Sequence, residues 1–130
     1  MDPRTLVTEE IEAGAELVRE FDKFMPVKAS LWLHPTEKGC WLLYIISEAI
    51  DGGTLRDGYH EVGRLMDIQR SPYLDIFQVK LLSAEDPVAV AVWRLHERFY
   101  GRFPIRYGEM TFGRLSVDAA YLYPQLAPCP

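Results

Sequence analysis

The sequence predicts a single α+β domain, with a mostly antiparallel or mixed sheet of about four or five strands and three helices in the order α-β-β-α-β-α-β(β). Residues 27–47 read as two strand-like runs joined by a polar Pro-Thr-Glu-Lys-Gly turn. The segments around this hairpin have helical periodicity. A chain of 130 residues has the length of one domain. We expect the domain to occupy residues 1–123 and a proline-rich tail to follow at 124–130.

The first helix is expected to begin at Asp2 and Pro3, which suit the cap and the first helical position, and to end before Pro26. Apolar or small residues recur along it in steps of four and three. These residues are Val7, Ile11, Gly14, Val18, Phe21 and Met25. Because glycine has no side chain, Gly14 would allow the helix to approach the sheet closely.

The first strand, expected at residues 27–34, alternates between an apolar face and a polar face that carries Trp32. The second, at 40–47, is apolar on both faces, which places it centrally in the sheet. A tight hairpin requires these two strands to be antiparallel. Helices on one face of the sheet are the economical arrangement, whereas helices on both faces would bury Trp32.

The second helix is expected to open with a capping box at Thr54 and Asp57 and to end at Ser71-Pro72. A third strand should follow at 73–82. The third helix should begin at Asp86-Pro87 and end near Gly101. The predicted core stripes of the two helices are Leu55, Tyr59, Val62 and Met66, and Val88, Val92, Leu95 and Phe99. Residues 105–123 then read as one or two strands interrupted by Gly108 and Gly113.

Composition and charge exclude several classes of protein. A net charge of −5 argues against nucleic acid as the main partner, since phosphate binding needs clustered cations. No apolar run approaches the roughly 20 residues of a membrane span. The first residues lack the pattern of a secretory leader, so we expect a cytoplasmic location and no membrane partner. Cys40 and Cys129 are lone thiols without a Cys-x-x-Cys motif.

The charge is unevenly distributed along the chain. Residues 1–25 carry seven acids against three bases, and residues 94–114 carry five arginines against two glutamates. The acids fall mostly off the apolar stripe of the first helix. The chain therefore offers one acidic segment and one basic segment.

Metal and nucleophile motifs are not evident in the sequence. His34, His60 and His96 fall on three separate elements without His-x-x-x-His spacing, so we expect imidazoles at the surface or partly buried. There is no Gly-x-Ser-x-Gly elbow and no phosphate loop. Gly52-Gly53 before the second helix could offer backbone N–H groups to an anion, but it reads first as a turn. We expect no cofactor.

One alternative is enzymatic. Asp75, Gln78 and Lys80 on the third strand, with Asp51 in an earlier loop, look like the PD-(D/E)xK nuclease superfamily. In that superfamily, an acid on one strand and an acid-x-lysine on the next hold Mg²⁺. The resemblance implies a metal-dependent phosphodiesterase using Asp51, Asp75 and Lys80. Gln78 stands where that superfamily has an acid, and Asp51 lies beyond its strand.

A second alternative is a small-molecule sensor. Its apolar pocket would lie between the helices and the sheet, where Tyr44, Tyr59 and Phe77 could line it. The same residue types also fill ordinary protein cores.

The arginine series gives the main prediction. Arg94, Arg98 and Arg102 recur every four residues and should project from one side of the third helix. Arginines near a helix C-terminus complement its dipole. They also bind carboxylates or phosphates bidentately, so the acidic first helix of the same chain or of a second copy could be their partner. An external anionic ligand is the other main possibility, and nucleic acid comes third.

Aromatic residues support an interaction role. Trp32 and Trp93 are expected outside the main core, and tryptophan and arginine are enriched at protein–protein hot spots. The sequence therefore predicts a non-catalytic interaction or accessory domain that self-associates or joins a larger assembly. Its expected contact residues are Trp32, Trp93, Arg94, Arg98 and Arg102.

Overall fold

Three helices and six strands follow one another along residues 5–126, the part of the chain that the computed structural model describes. They are α1 Thr8–Asp22, β1 Ala29–Pro35, β2 Leu42–Ser47, α2 Leu55–Gln69, β3 Val79–Ser83, α3 Pro87–Arg98, β4 Ile105–Tyr107, β5 Met110–Phe112 and β6 Leu115–Leu122. A short 3₁₀ turn precedes β3. This order confirms the predicted α+β pattern. No helix in this part of the chain is both long and apolar enough to traverse a lipid bilayer.

The strands form one mixed sheet in the order β3-β2-β1-β6-β4, with β5 also paired to β6. Strand β1 is antiparallel to both β2 and β6, as the hairpin requires, while β2 and β3 are parallel. Strands β4 and β5 lie end to end along β6. A tight turn at Gly113, whose φ of +61° suits glycine, joins β5 to β6. Residues 105–123 thus form three strands rather than the one or two expected.

The sheet separates two apolar cores. One contains α1 and α2 packed on residues such as Trp32, Leu43 and Ile45. The other contains α3 packed on residues such as Leu31 and Tyr44. The expectation that all helices lie on one face is therefore wrong. Every residue of β1 and β2 is buried, which confirms the central position of β2 and requires cover on both faces.

Trp32 lies on the face of β1 that reads as polar, yet its exposed fraction is 0%. Its indole N–H donates a hydrogen bond to the hydroxyl of Tyr123 at 2.8 Å. That hydroxyl in turn donates to the carbonyl of Ile11 at 2.6 Å. Burial raises the pKa of Tyr123, so the phenol stays protonated and able to donate. The network ties α1, β1 and β6 together.

Helix α1 approaches the sheet closely at Gly14, as predicted. A β-carbon at this position would lie 2.5 Å from the hydroxyl oxygen of Tyr123 and 2.9 Å from the indole nitrogen of Trp32. The absence of a side chain at Gly14 is therefore what allows the Trp32–Tyr123 network to sit beneath the helix.

The start of α1 differs from the prediction. The helix begins at Thr8, and the carboxylate of Glu10 accepts a hydrogen bond from the backbone N–H of Val7 at 3.2 Å. The predicted cap at Asp2 and Pro3 lies outside the described residues. The predicted start of α3 is confirmed, since Asp86 accepts from the N–H of Val88 at 2.9 Å.

The capping box predicted at Thr54 and Asp57 is wrong, because no side chain at Thr54 caps α2. The carboxylate of Asp51 instead accepts from the N–H groups of Gly53 at 2.7 Å and Thr54 at 3.0 Å. The backbone N–H of Gly53, which could have bound an external anion, therefore already binds the carboxylate of Asp51.

Strand β3 begins later than predicted. Asp75 caps the 3₁₀ turn Ile76–Gln78 by accepting from the N–H of Phe77 at 2.8 Å, and the side-chain oxygen of Gln78 accepts from the N–H of Asp75 at 2.9 Å. These local bonds compete with strand pairing, so the extended chain starts only at Val79.

Candidate interaction surfaces

The solvent side of α3 and the segment just beyond it carry a group of side chains that we call the basic face: Trp93, Arg94, Arg98 and Arg102. The helix buries Ala89, Val92 and His96 against the sheet. At 100° per residue, Arg94 and Arg98 lie on the opposite side of the helix. Of the predicted core stripe of α3, Val92 is buried as expected, whereas Val88, Leu95 and Phe99 are only partly buried.

The arginines of the basic face are available for binding. Arg94, Arg98 and Arg102 are exposed, and within residues 5–126 no carboxylate forms an ion pair with any of them. The guanidinium of Arg98 lies 5.3 Å from the centre of the Phe99 ring. That contact orients Arg98 without neutralising it.

Aromatic side chains accompany these arginines. Trp93 is half-buried, and the ammonium of Lys28 lies 4.5 Å from the centre of its ring. Tyr100 follows the helix with 82% of its surface exposed. Cations and aromatic rings thus lie together at the C-terminal end of α3, a composition that favours protein contact.

The acidic first helix is not the intramolecular partner of the basic face. Helix α1 packs on the sheet face opposite to α3. The exposed acids Glu9, Glu12 and Glu16 therefore lie on the far side of the molecule. The one ion pair along the described length of α1 joins Lys23 to Glu20 at 3.0 Å. The sequence offered the first helix of the same chain or that of a second copy as partner of the arginines. Of these two, only the first helix of a second copy can reach the basic face.

Trp32 does not belong to a contact surface. Its exposed fraction of 0% and its hydrogen bond to Tyr123 place it inside the core. The expectation that it joins the basic face is wrong because helices cover both sides of β1. Trp93 and the three arginines are the candidate residues that remain exposed or half-exposed.

The nuclease-like residues do not converge. Asp51 follows the C-terminal end of β2, beside Ser83 at the end of β3, whereas Asp75 precedes the start of β3. The length of β3, at about 3.3 Å per residue, therefore separates the carboxylate of Asp51 from that of Asp75. Lys80 is exposed on the same strand. Across the described residues, no three His, Cys, Asp or Glu side chains cluster as metal ligands.

The residues proposed for a sensor pocket are also separated. Tyr44 is buried on the α3 side of the sheet, where desolvation raises its pKa. Tyr59 packs on the other side, and its hydroxyl accepts a hydrogen bond from the N–H of Leu81 at 3.1 Å. Phe77 is 83% exposed. The three rings therefore line no common cavity.

An exposed apolar surface between α2 and β3 was missed in the sequence. Ile68, Tyr73, Ile76 and Phe77 are all exposed within ten residues, beside an open groove of about 480 Å³. Reading residues 73–82 as a strand assigned Tyr73, Ile76 and Phe77 to the sheet, and Ile68 to the helix before it. Ser71-Pro72 was the available signal that the chain turns at the surface here.

A cleft beside His96 was missed as well. It has a volume of about 300 Å³ and lies between the end of α3 and the segment after β6. His96 is 4% exposed, and its ring stacks on Phe103 with centroids 4.0 Å apart. Its Nε2 atom has no hydrogen-bond partner among the described residues. His34 is buried too, so the expectation of surface or partly buried histidines is wrong for these two.

Burial of His96 predicts a pH dependence of stability. Desolvation lowers the pKa of its imidazole in the folded state, so the unfolded chain binds a proton more readily. The free energy of unfolding should therefore fall as the pH drops below about 6.5, the ordinary value for histidine, and level off below the folded-state pKa. A His96→Phe variant, which keeps the stacking on Phe103, should lose less stability over the same range.

Urea unfolding of both proteins at pH 7.5 and pH 5.0 measures this difference. The two proteins differ only at position 96, so the difference between their losses reports on His96. Equal losses in the two proteins would contradict the prediction.

Comparison of this chain with protein-family models, curated proteins and solved structures finds no match. A proposal of function therefore rests on the residues and their geometry.

Proposed function

We propose that this protein acts through protein–protein contact, and that the basic face of α3 binds an acidic protein surface. The observation that supports this most directly is the row of exposed arginines, Arg94, Arg98 and Arg102, which lack carboxylate partners in the described part of the chain. The guanidinium fork matches carboxylate geometry. Trp93 and Tyr100 add apolar area beside the charges.

The energies show what such a contact requires. An exposed ion pair contributes about 0.2–1 kcal/mol, so three pairs give at most about 3 kcal/mol. A Kd of 1 mM already needs about 4 kcal/mol. Burying Tyr100, now 82% exposed, against a partner could add about 1.5–3 kcal/mol. The complex should therefore depend on both charge and aromatic contact, and it should weaken as salt screens the charges.

A protein surface suits the basic face better than nucleic acid does. Phosphates would also bind these arginines, but the chain carries a net charge of −5 and an acidic helix on its other face. A polyanion longer than the basic face would meet this negative field. A compact group of carboxylates would not.

The proposal predicts the behaviour of a double variant, Arg94→Glu/Arg98→Glu. Its affinity for a labelled twenty-residue helical peptide with glutamate at every third or fourth position should fall at least ~tenfold, because two attractive contacts become repulsive. Fluorescence anisotropy at low and at physiological salt measures the affinity. Wild-type binding should also weaken with salt.

A matched control is Arg56→Glu/Lys80→Glu, which makes the same change in net charge at two exposed positions outside the basic face. This control should retain affinity for the peptide within about threefold. Equal losses in the two double variants would reduce the effect to net charge and would overturn the proposal. Tighter binding to a single-stranded oligonucleotide than to the peptide would instead identify nucleic acid as the partner.

A further inference from the structure

We infer that the partner of the basic face is α1 of a second copy of this chain, so that copies associate head to tail. The inference rests on the proposed function and names its partner. The contact on α1 is its acidic ridge, defined as Glu9, Glu12 and Glu16.

The acidic ridge matches the basic face in the spacing of its charged residues and carries the opposite charge. Its three glutamates are separated by three and four residues, so they share one side of α1, and all are exposed. At 1.5 Å per residue, the ridge is about 10 Å long. Arg94 and Arg98 lie about 6 Å apart along α3 on the same basis, and Arg102 lies four residues beyond the end of the helix.

Within residues 5–126, no ion pair neutralises either row. No cation in the described chain pairs with Glu9, Glu12 or Glu16, and no carboxylate there pairs with the arginines of the basic face. The two rows also lie on opposite faces of the sheet, so they cannot meet in one copy. A second copy brings them together without any change in fold.

Because the basic face and the acidic ridge lie on opposite faces of the sheet, they determine the symmetry of the assembly. A two-fold dimer joins the same surface of each copy, and here that would place arginine against arginine or glutamate against glutamate. A contact between the basic face of one copy and the acidic ridge of the next leaves one free surface at each end. Copies should therefore extend into a chain or close into a ring.

Two neutral double variants test this arrangement: Arg94→Gln/Arg98→Gln and Glu12→Gln/Glu16→Gln. Sedimentation velocity should show a mass above the 15.0 kDa monomer for the wild type, rising with concentration and falling with salt. Each variant alone should be monomeric. An equimolar mixture should form a 1:1 dimer and nothing larger, because each variant supplies one of the two intact surfaces.

The mixture separates this inference from its rivals. A two-fold dimer through the basic face would be lost in Arg94→Gln/Arg98→Gln and kept in Glu12→Gln/Glu16→Gln. Mixing the two variants would not bring Arg94→Gln/Arg98→Gln back into a dimer. That result, or a wild type that stays monomeric at every concentration, would overturn the inference. The affinity of the basic face for an acidic peptide decides the proposed function separately. Far-ultraviolet circular dichroism checks that each variant keeps its fold.

Discussion

Trp32→Ala should lower the free energy of unfolding by about 3–5 kcal/mol, the range for truncating a fully buried tryptophan. The side chain lies between the sheet and α1 with an exposed fraction of 0%. Its removal would leave a cavity and take away the donor that the Tyr123 hydroxyl now accepts from. Because whole domains are stable by only about 5–15 kcal/mol, this loss would bring the chain close to unfolding.

Urea denaturation followed by circular dichroism measures this loss, and Trp32→Phe provides a second variant that keeps most of the volume. The phenylalanine should cost less, since it loses the indole N–H but leaves a smaller cavity. Trp93→Ala is the matched control on α3. Trp93 is half-buried, so its truncation should reduce stability less while weakening binding to the acidic peptide. A loss below about 1 kcal/mol for Trp32→Ala would show that the indole is not in the core.

Local chemistry predicted most of the fold. The hairpin turn, the Asp86-Pro87 helix start and the place of Gly14 each depend on a few adjacent residues or on one helix face. The start of β3 could not be predicted in this way. Residues 73–78 have the apolar and aromatic content of a strand, but they are held in a turn because the side chains of Asp75 and Gln78 accept hydrogen bonds from backbone N–H groups.

Sheet order lay beyond local reasoning as well. The central position of β1 between β2 and β6 depends on pairing with residues some ninety positions later, such as Trp32 with Tyr121. Position in the sheet decides how many faces are covered. No pattern in the residues of β1 indicates that α3 covers its second face. The alternating polar residues are typical of a solvent-exposed face, yet they are buried.

Some residues of the candidate site were predicted correctly and others were not, because only some of them depend on local spacing. The exposure of Arg94 and Arg98 follows from their spacing along one helix, which the sequence contains. The burial of Trp32 depends on Tyr123, a hydrogen-bond partner 91 residues away. Asp51 and Asp75 looked like metal ligands by type, whereas each caps a turn within three residues of itself. Residue type alone does not distinguish these roles.

Gly14→Ala should destabilise the protein by about 2–3 kcal/mol, although alanine is the better helix former. In an exposed helix position, the exchange would stabilise by up to about 1 kcal/mol. At Gly14, the new β-carbon would lie 2.5 Å from the Tyr123 hydroxyl and 2.9 Å from the Trp32 indole nitrogen. Either α1 moves away from the sheet or the buried hydrogen bonds break, and both are costly.

Gly63→Ala on α2 is the control with the opposite expected sign, since a β-carbon there would meet only Ile76 at an ordinary 3.5 Å. This variant should be more stable than wild type. Removing the hydroxyl by Tyr123→Phe should reduce the cost of Gly14→Ala, with a coupling energy of about 0.5–3 kcal/mol in a double-mutant cycle followed by urea unfolding. Additive losses would mean that the helix does not press on the hydroxyl. If Gly14→Ala and Gly63→Ala stabilised equally, α1 would not lie against the Trp32–Tyr123 pair, and the two-sided core would lose its support.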